Sequence, residues 1–502
     1  MPISRRAFLK AALGAAAASG LPSLPVQRAF AAADRKVHEF EFVASIEKVK
    51  VGGGPEFKAW TYNGQAPGPL IRVPEGDVIR VKLINRLPME TTVHWHGLPV
   101  PNGMDGVPNV TQDPVPPGGE FLYEFTAEPA GTFMYHSHVM YQLDQGLIGG
   151  LIIDPRKEKR GYDQEEIVVL DDVVMRDDGA TAPVPRRPPM GMGMGMGMGG
   201  GMMGMGDMMG MGCDMMGMGG TMAMGGTMGM GGMMPLLEPI YDGYAVNGNI
   251  GAAIKPIVVN KGDRIKLRIL NPSSATIYYL QLSGHPMVIT HTDSRPVQPI
   301  ATDILRIAMG ERYDVEVIAN NPGHWVLAAM ERGYGESRVR IPFIYKGIRD
   351  RGPMPPDFGP GRRMITVWDM QAPYPLGPRP GPVHRLYPQM LSGGMHSPYW
   401  TINGMMYPNS EKLSARLGER VRFGYRNHSM MPHPMHLHGH FFKIVNPALP
   451  PELWIMKDTV IVDPMQYIEI EYVADNPGNW IHHCHNLYHM EAGMANLALV
   501  LG

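Results

Sequence analysis

Four histidine-rich phrases carry the chemistry of this sequence: His94-Trp95-His96, His136-Ser137-His138, His433-Pro434-Met435-His436-Leu437-His438, and His483-Cys484-His485 followed by His489 and Met494. On a β-strand, residues i and i+2 share a face, so each His-x-His presents two imidazoles together. One such pair is a moderate signal; four of them form the donor set of a metal protein. Cys484, His433, His489 and Met494 supply a thiolate, two imidazoles and a thioether. That is the blue-copper electron-transfer ligation, in which a weak axial methionine tunes the potential. Eight histidines remain, more than one ion can use, and they suit three coppers acting together on dioxygen. Cys484 lies between two of them, so its thiolate would be a short covalent link between the two kinds of site. A disulfide to Cys213, the other cysteine of the chain, is the competing reading.

The elements that must position these residues come in three copies. Tyr62-Asn63-Gly64, Val246-Asn247-Gly248 and Ile402-Asn403-Gly404 each precede a Gly-Asp or Gly-Glu turn and an alternating stretch: Gly76 to Asn85, Gly262 to Asn271, Gly418 to Asn427. Asn-Gly permits a positive-φ turn, and the alternation predicts a half-buried strand with one face in a core and one in water. Each copy ends on a related phrase: Pro129-Ala130-Gly131-Thr132-Phe133, Pro322-Gly323-His324-Trp325 and Pro477-Gly478-Asn479-Trp480. Aligned on their glycines, the first copy reaches His136-Ser137-His138, the third reaches His483-Cys484-His485, and the second reaches Ala328-Ala329-Met330. The first and third units should therefore share a metal site, with the second as a spacer. Repeats this far apart are too long for a solenoid and predict an all-β chain of three β-sandwich domains, placed at 37–155, 162–347 and 362–502.

Composition fits that plan. The chain has 502 residues and 44% hydrophobic content, and no basic stretch suggests a nucleic-acid partner. Ser4-Arg5-Arg6-Ala7-Phe8-Leu9-Lys10, an apolar run from Ala11 and small residues around Ala29 to Ala33 read as a twin-arginine export signal over residues 1–33, a short membrane anchor being the alternative. Its removal would take the net charge from −2 to about −6. No other run is long and apolar enough to span a bilayer, so an exported, soluble monomer without stable membrane insertion is expected. Residues 190–234 contain 20 methionines among glycines. Glycine that dense cannot hold a packed element, so a flexible insertion in the second unit is expected.

The motifs H-W-H-G, H-S-H, H-P-x-H-x-H-G and H-C-H-x-x-x-H-x-x-x-x-M, in this order and over essentially the whole mature chain, resemble those of the multicopper oxidases. The resemblance implies three cupredoxin-like Greek-key β-sandwich domains and four coppers. It assigns a type 1 copper to His433, Cys484, His489 and Met494, and a type 2 copper to His94 and His436. One type 3 copper would take His96, His136 and His485, and the other His138, His438 and His483. It implies that Asp105 feeds protons to oxygen reduction, where a plain turn aspartate is the alternative. It places a second acid directly after His489; Met490 stands there, with Glu491 next as the candidate.

Met430-Met431-Pro432-His433-Pro434 and Leu487 to Met494 look closest to the periplasmic cuprous-oxidase and copper-resistance branch. There Met431 matches a residue that helps hold substrate copper, and Ser429 replaces an acid that does so. Thioethers are soft donors suited to Cu(I). The expected activity is therefore oxidation of Cu(I) coupled to reduction of dioxygen, in copper tolerance and in the periplasm. A laccase-type oxidation of phenols or other small organic donors is the runner-up. Copper storage without turnover, a scaffold that has lost its copper, and a nitrite reductase are the more distant readings.

Overall fold

The asparagines that punctuate the three copies act as ties in the computed structural model, which describes residues 35–52, 56–157, 161–175, 238–239, 241–331, 339–348, 352, 354–394 and 397–502. Asn63, Asn247 and Asn403 sit at φ of 56°, 50° and 53°. Each donates its amide to a carbonyl of the unit's first strand and accepts from that strand two residues on: Glu41 and Val43, Ile167 and Val169, Pro388 and Met390. The second set, Asn85, Asn271 and Asn427, is fully buried and pins the loop after each strand. Asn427, for example, donates to the Met431 and Val462 carbonyls at 2.8 and 3.0 Å and accepts from Ser429 N–H. A buried amide with all its partners fixes a loop, because losing any one would strand a polar group.

Each unit is a pair of packed sheets whose shared strands keep one order, four and four strands in the first unit and six and five in the second and third. The first strand pairs in parallel with the Gly-Asp or Gly-Glu strand: Val37–Lys50 with Val78–Asn85, Gln164–Val173 with Arg264–Leu270, Arg385–Gly394 with Arg420–Asn427. The facing sheet carries the strand that starts at the Pro-Gly phrase: Gly131–His136, His324–Glu331 and Gly478–Cys484. All are cupredoxin-like sandwiches, and the described chain is all-β apart from short helical turns and the helix Leu487–Glu491. The predicted alternation is clean only in Val78–Asn85. In the second unit the outward Arg268 is buried, because it is clamped by Glu165 at 2.6 Å and by Thr132 of the first unit at 2.7 Å. A face expected in water is there a seam between sandwiches. The export signal, Cys213 and the methionine-rich stretch 190–234 lie outside the described residues.

Candidate metal centre

The strand ends deliver the histidines. His94–His96 forms a strand by itself, and it pairs antiparallel with Gly131–His136, so that His94 faces His136. In the third sandwich His433–Leu437 pairs with Gly478–Cys484, setting His436 opposite His483. Only the first His-x-His lies wholly in a strand; the others run over a strand's end at His138, His438 and His485. The two rings of each pair nevertheless stay close, with centroids 4.9 to 6.0 Å apart. Ala328 and Ala329 fill the core at the corresponding place of the second sandwich.

The first and third sandwiches bring eight imidazoles into one neighbourhood. The His94 and His438 rings stack at 3.7 Å, and those of His96 and His436 at 3.9 Å. His438 Nε2 lies 3.1 Å from His483 Nε2, and His485 Nε2 lies 3.2 Å from His96 Nδ1. His138, His438 and His483 form one group whose ligand atoms all lie within 4.8 Å of one another. His94 groups with His436 and His438, and also with His96 and His136. His94 and His438 thus each belong to two of the three sets and link them.

A second site lies on the far side of Cys484. Its Sγ is 3.6 Å from Nδ1 of His433 and 3.6 Å from Nδ1 of His489, and those two nitrogens are 3.1 Å apart. Met494 is fully buried, and its carbonyl accepts from the Cys484 N–H at 3.0 Å. Cys484 is free.

The donor chemistry fits copper. Five buried ring nitrogens of the cluster, Nε2 of His94, His136, His138 and His436 and Nδ1 of His485, have no protein partner, although buried polar atoms are almost always paired. In three of these rings the other nitrogen donates to a carbonyl: His94 to Asp105, His136 to Ser137, His436 to Asp458, each within 2.9 Å. That fixes the tautomer and leaves a bare lone pair facing inward. Burial holds His136, His433 and His483 down to about 3, so they are neutral donors. Burial also pushes the Cys484 thiol up; a bound cation would reverse this by favouring the thiolate.

The flanking residues divide. Asp105 is fully buried and bridges the sandwiches: one oxygen lies 2.9 Å from His438 Nδ1 and the other 3.2 Å from His94 Nδ1. Met490, not Glu491, lines a small pocket on His136, His138, His483 and His485, together with Ser137, Leu143 and Leu487. Glu491 is half-buried, and burial raises it to about 7. Ser429 turns its hydroxyl to His433 Nε2 at 2.7 Å, and Met431 is half-buried on the same loop.

Three participants have no local signal in the sequence. Glu238 places Oε1 3.5 Å from His489 Nε2 and accepts from the Asn486 amide at 2.5 Å. The Trp400 ring lies 3.9 Å from that of His489. Asp458 comes within 3.3 Å of His96 Nε2. The second sandwich is also more than a spacer. A Cβ on its Gly310, which has φ of 87°, would stand 2.8 Å from His485 Cδ2, so its backbone rests directly on the cluster.

Comparison with known proteins agrees with this geometry. Family models described as multicopper oxidase match residues 44–158, 221–340 and 380–501. The chain is 37% identical over 460 residues to multicopper oxidase MmcO of Mycobacterium tuberculosis, covering 88% of this chain and 83% of that protein. It is 26% identical to a copper resistance protein A homolog of Pseudomonas syringae pv. tomato, covering 98% of each. Among solved structures, a multi-copper oxidase from Pseudomonas thermotolerans superposes with a TM-score of 0.69 at 25% identity, covering 93% of this chain and all of that one.

Proposed function

Because the chain belongs to the multicopper oxidase family and is an oxygen-dependent oxidoreductase, we propose that it is an exported, monomeric cuprous oxidase serving copper tolerance. Copper held by these residues would supply the one-electron redox steps and the reduction of dioxygen by four electrons and four protons to two waters. His433, Cys484, His489 and Met494 would hold the type 1 ion. His94 and His436 would hold the type 2 ion. His96, His136 and His485, with His138, His438 and His483, would hold the type 3 pair. Cys484 joins the two sites through its peptide bonds to His483 and His485. Asp105 orients His94 and His438 and is the buried acid placed to hand protons to oxygen. Met490 and the apolar pocket keep bulk water off the type 3 histidines.

The observation that carries the cuprous reading is Glu238. It puts a carboxylate beside the edge of His489, and only three residues separate it in sequence from Met234, the last methionine of the 190–234 stretch. Chain connectivity thus attaches a run of soft thioether donors next to the edge where an electron would enter, and a carboxylate there favours a cationic donor. The same carboxylate could accept a hydrogen bond from a phenol, which sustains the laccase reading as the alternative. Copper resistance in the related protein's name agrees with the first reading.

Oxygen uptake by copper-loaded protein, with Cu(I) and a phenol at matched concentrations, tests the choice. Deleting residues 190–234 should cut the Cu(I) rate sharply and spare the phenol. Undiminished rates on both substrates would remove the basis for the cuprous reading.

A further inference from the structure

Behind the histidine cluster, where all three sandwiches meet, lie five charged side chains with almost no exposure: Asp293, Glu311 and Arg312 from the second sandwich, Lys457 and Asp458 from the third. Arg312 is the hub. Its two terminal nitrogens donate to the two oxygens of Asp458 at 2.7 and 2.6 Å. It also donates to the Gly310 carbonyl at 2.9 Å and to the Thr132 carbonyl of the first sandwich at 3.1 Å. Lys457 pairs with Asp293 and Glu311 at 3.1 Å each, and Asp293 accepts from the backbone of Arg312, Asp458 and Thr459.

Asp458 touches two histidines in opposite ways. Its carboxylate lies 3.3 Å from Nε2 of His96, so an N–H there leaves Nδ1 bare, and Nδ1 is the atom that faces His485. Its backbone carbonyl accepts from Nδ1 of His436 at 2.8 Å, which leaves Nε2 bare, the atom without a protein partner. Together with the Thr459 hydroxyl, which donates to the Asp458 carboxylate and lies 3.4 Å from His96 Nε2 and 3.1 Å from His436 Nδ1, Asp458 selects two different tautomers, both with the lone pair turned toward the cluster. The glycine of H-W-H-G is explained by the same junction. A Cβ on Gly97, at φ of 86°, would stand 2.4 Å from Arg312 Nη2 and 2.7 Å from Asp458 Oδ2.

We propose that Arg312, supplied by the sandwich that has alanines where the others have the His-x-His pair, is a positioning residue for the oxygen-reducing cluster: by clamping Asp458 in a bidentate grip it fixes which nitrogens of His96 and His436 face the metal. This rests on the reading that those two histidines hold copper. A lysine cannot reproduce the fork, because an ammonium offers a point charge where a guanidinium offers two parallel donors.

The test uses the copper-loaded protein and reads copper per chain, retention against a chelator, the blue absorption band and the paramagnetic resonance of the type 2 ion. Arg312→Lys should weaken retention of cluster copper by about 10- to 100-fold and change the type 2 hyperfine pattern, with the blue band unaltered. The double variant Arg312→Met/Asp458→Asn removes both members of the clamp together and leaves Lys457 paired with Asp293 and Glu311. It should fold even if the lysine variant does not, and should show the same changes. Arg306→Met is the control for domain docking. Arg306 also joins the second sandwich to the third in a bidentate pair, with Asp463 at 2.8 and 2.6 Å, so its loss should leave the type 2 signal intact. A wild-type signal in Arg312→Lys or in the double variant, or the same change in Arg306→Met, would overturn the proposal. A wild-type protein without any type 2 signal would overturn the metal reading, and this inference with it.

Discussion

Replacing Asp105 tests separately the two roles proposed for its carboxylate. Its Oδ2 is 2.9 Å from His438 Nδ1, and that nitrogen has no other partner among the described hydrogen bonds, whereas His94 Nδ1 also donates to the Asp105 carbonyl at 2.8 Å. Asp105→Ala therefore strands one buried imidazole N–H and spares the other. An unpaired buried donor costs about 1–3 kcal/mol, which is about 5- to 150-fold in copper retention at the cluster. Asp105→Asn keeps an acceptor for His438 and should hold copper close to wild type. An amide cannot hand on a proton, however, so reoxidation of the reduced protein by dioxygen should slow by about 10²- to 10⁴-fold. Chelator competition measures the first effect and single-turnover reoxidation the second. Full copper retention in the alanine variant would refute the positioning argument. Wild-type reoxidation in the asparagine variant would refute the proton argument.

Two other outcomes are expected. Cys484→Ser should abolish the blue band and type 1 copper while leaving most of the cluster copper in place, since His483 and His485 keep their strand positions; retention of the blue band, measured by absorption, would exclude Cys484 as the thiolate ligand. Asp144, which accepts from Tyr241 at 3.0 Å and Tyr488 at 2.9 Å, is raised to about 7 by burial and by Asp172. A carboxyl whose native value lies above its unfolded value of about 4 binds its proton more tightly when folded, so its stabilising effect is complete below about 4 and fades as pH rises to 7. Asp144→Asn should therefore flatten the fall in melting temperature over that range and gain on the order of 1 kcal/mol at neutral pH; an unchanged slope would show that Asp144 is not the titrating group.

The histidine phrases and the Asn-Gly turns were legible in the sequence because the physics behind them is local. A strand repeats every two residues, so His94 and His96 must project together wherever the strand goes. Asparagine tolerates positive φ by itself, so Asn63, Asn247 and Asn403 mark turns in any context. The threefold recurrence of those signals is also what made an all-β chain of related sandwiches readable. That the second unit has Ala328-Ala329-Met330 where the first and third have a His-x-His pair was readable from the alignment alone.

What local pattern does not contain is distance between sandwiches. Arg312 meets Asp458 across 146 positions, and His485 meets His96 across 389. Nothing in the residues around Arg312, Asp458 or Glu238 distinguishes them from ordinary surface charges. Glu238 acquires a role only because folding sets it beside His489, and Arg312 and Asp458 only because docking three sandwiches removes water from their junction. There an unpaired charge or imidazole N–H becomes costly, and each must find a partner supplied by another domain. The sequence by itself determined which side chains offer donors suited to copper and which of them come in neighbouring pairs. The tertiary structure alone decided which nitrogens point inward, which acids lie against them, and that the backbone of the second sandwich packs against the cluster.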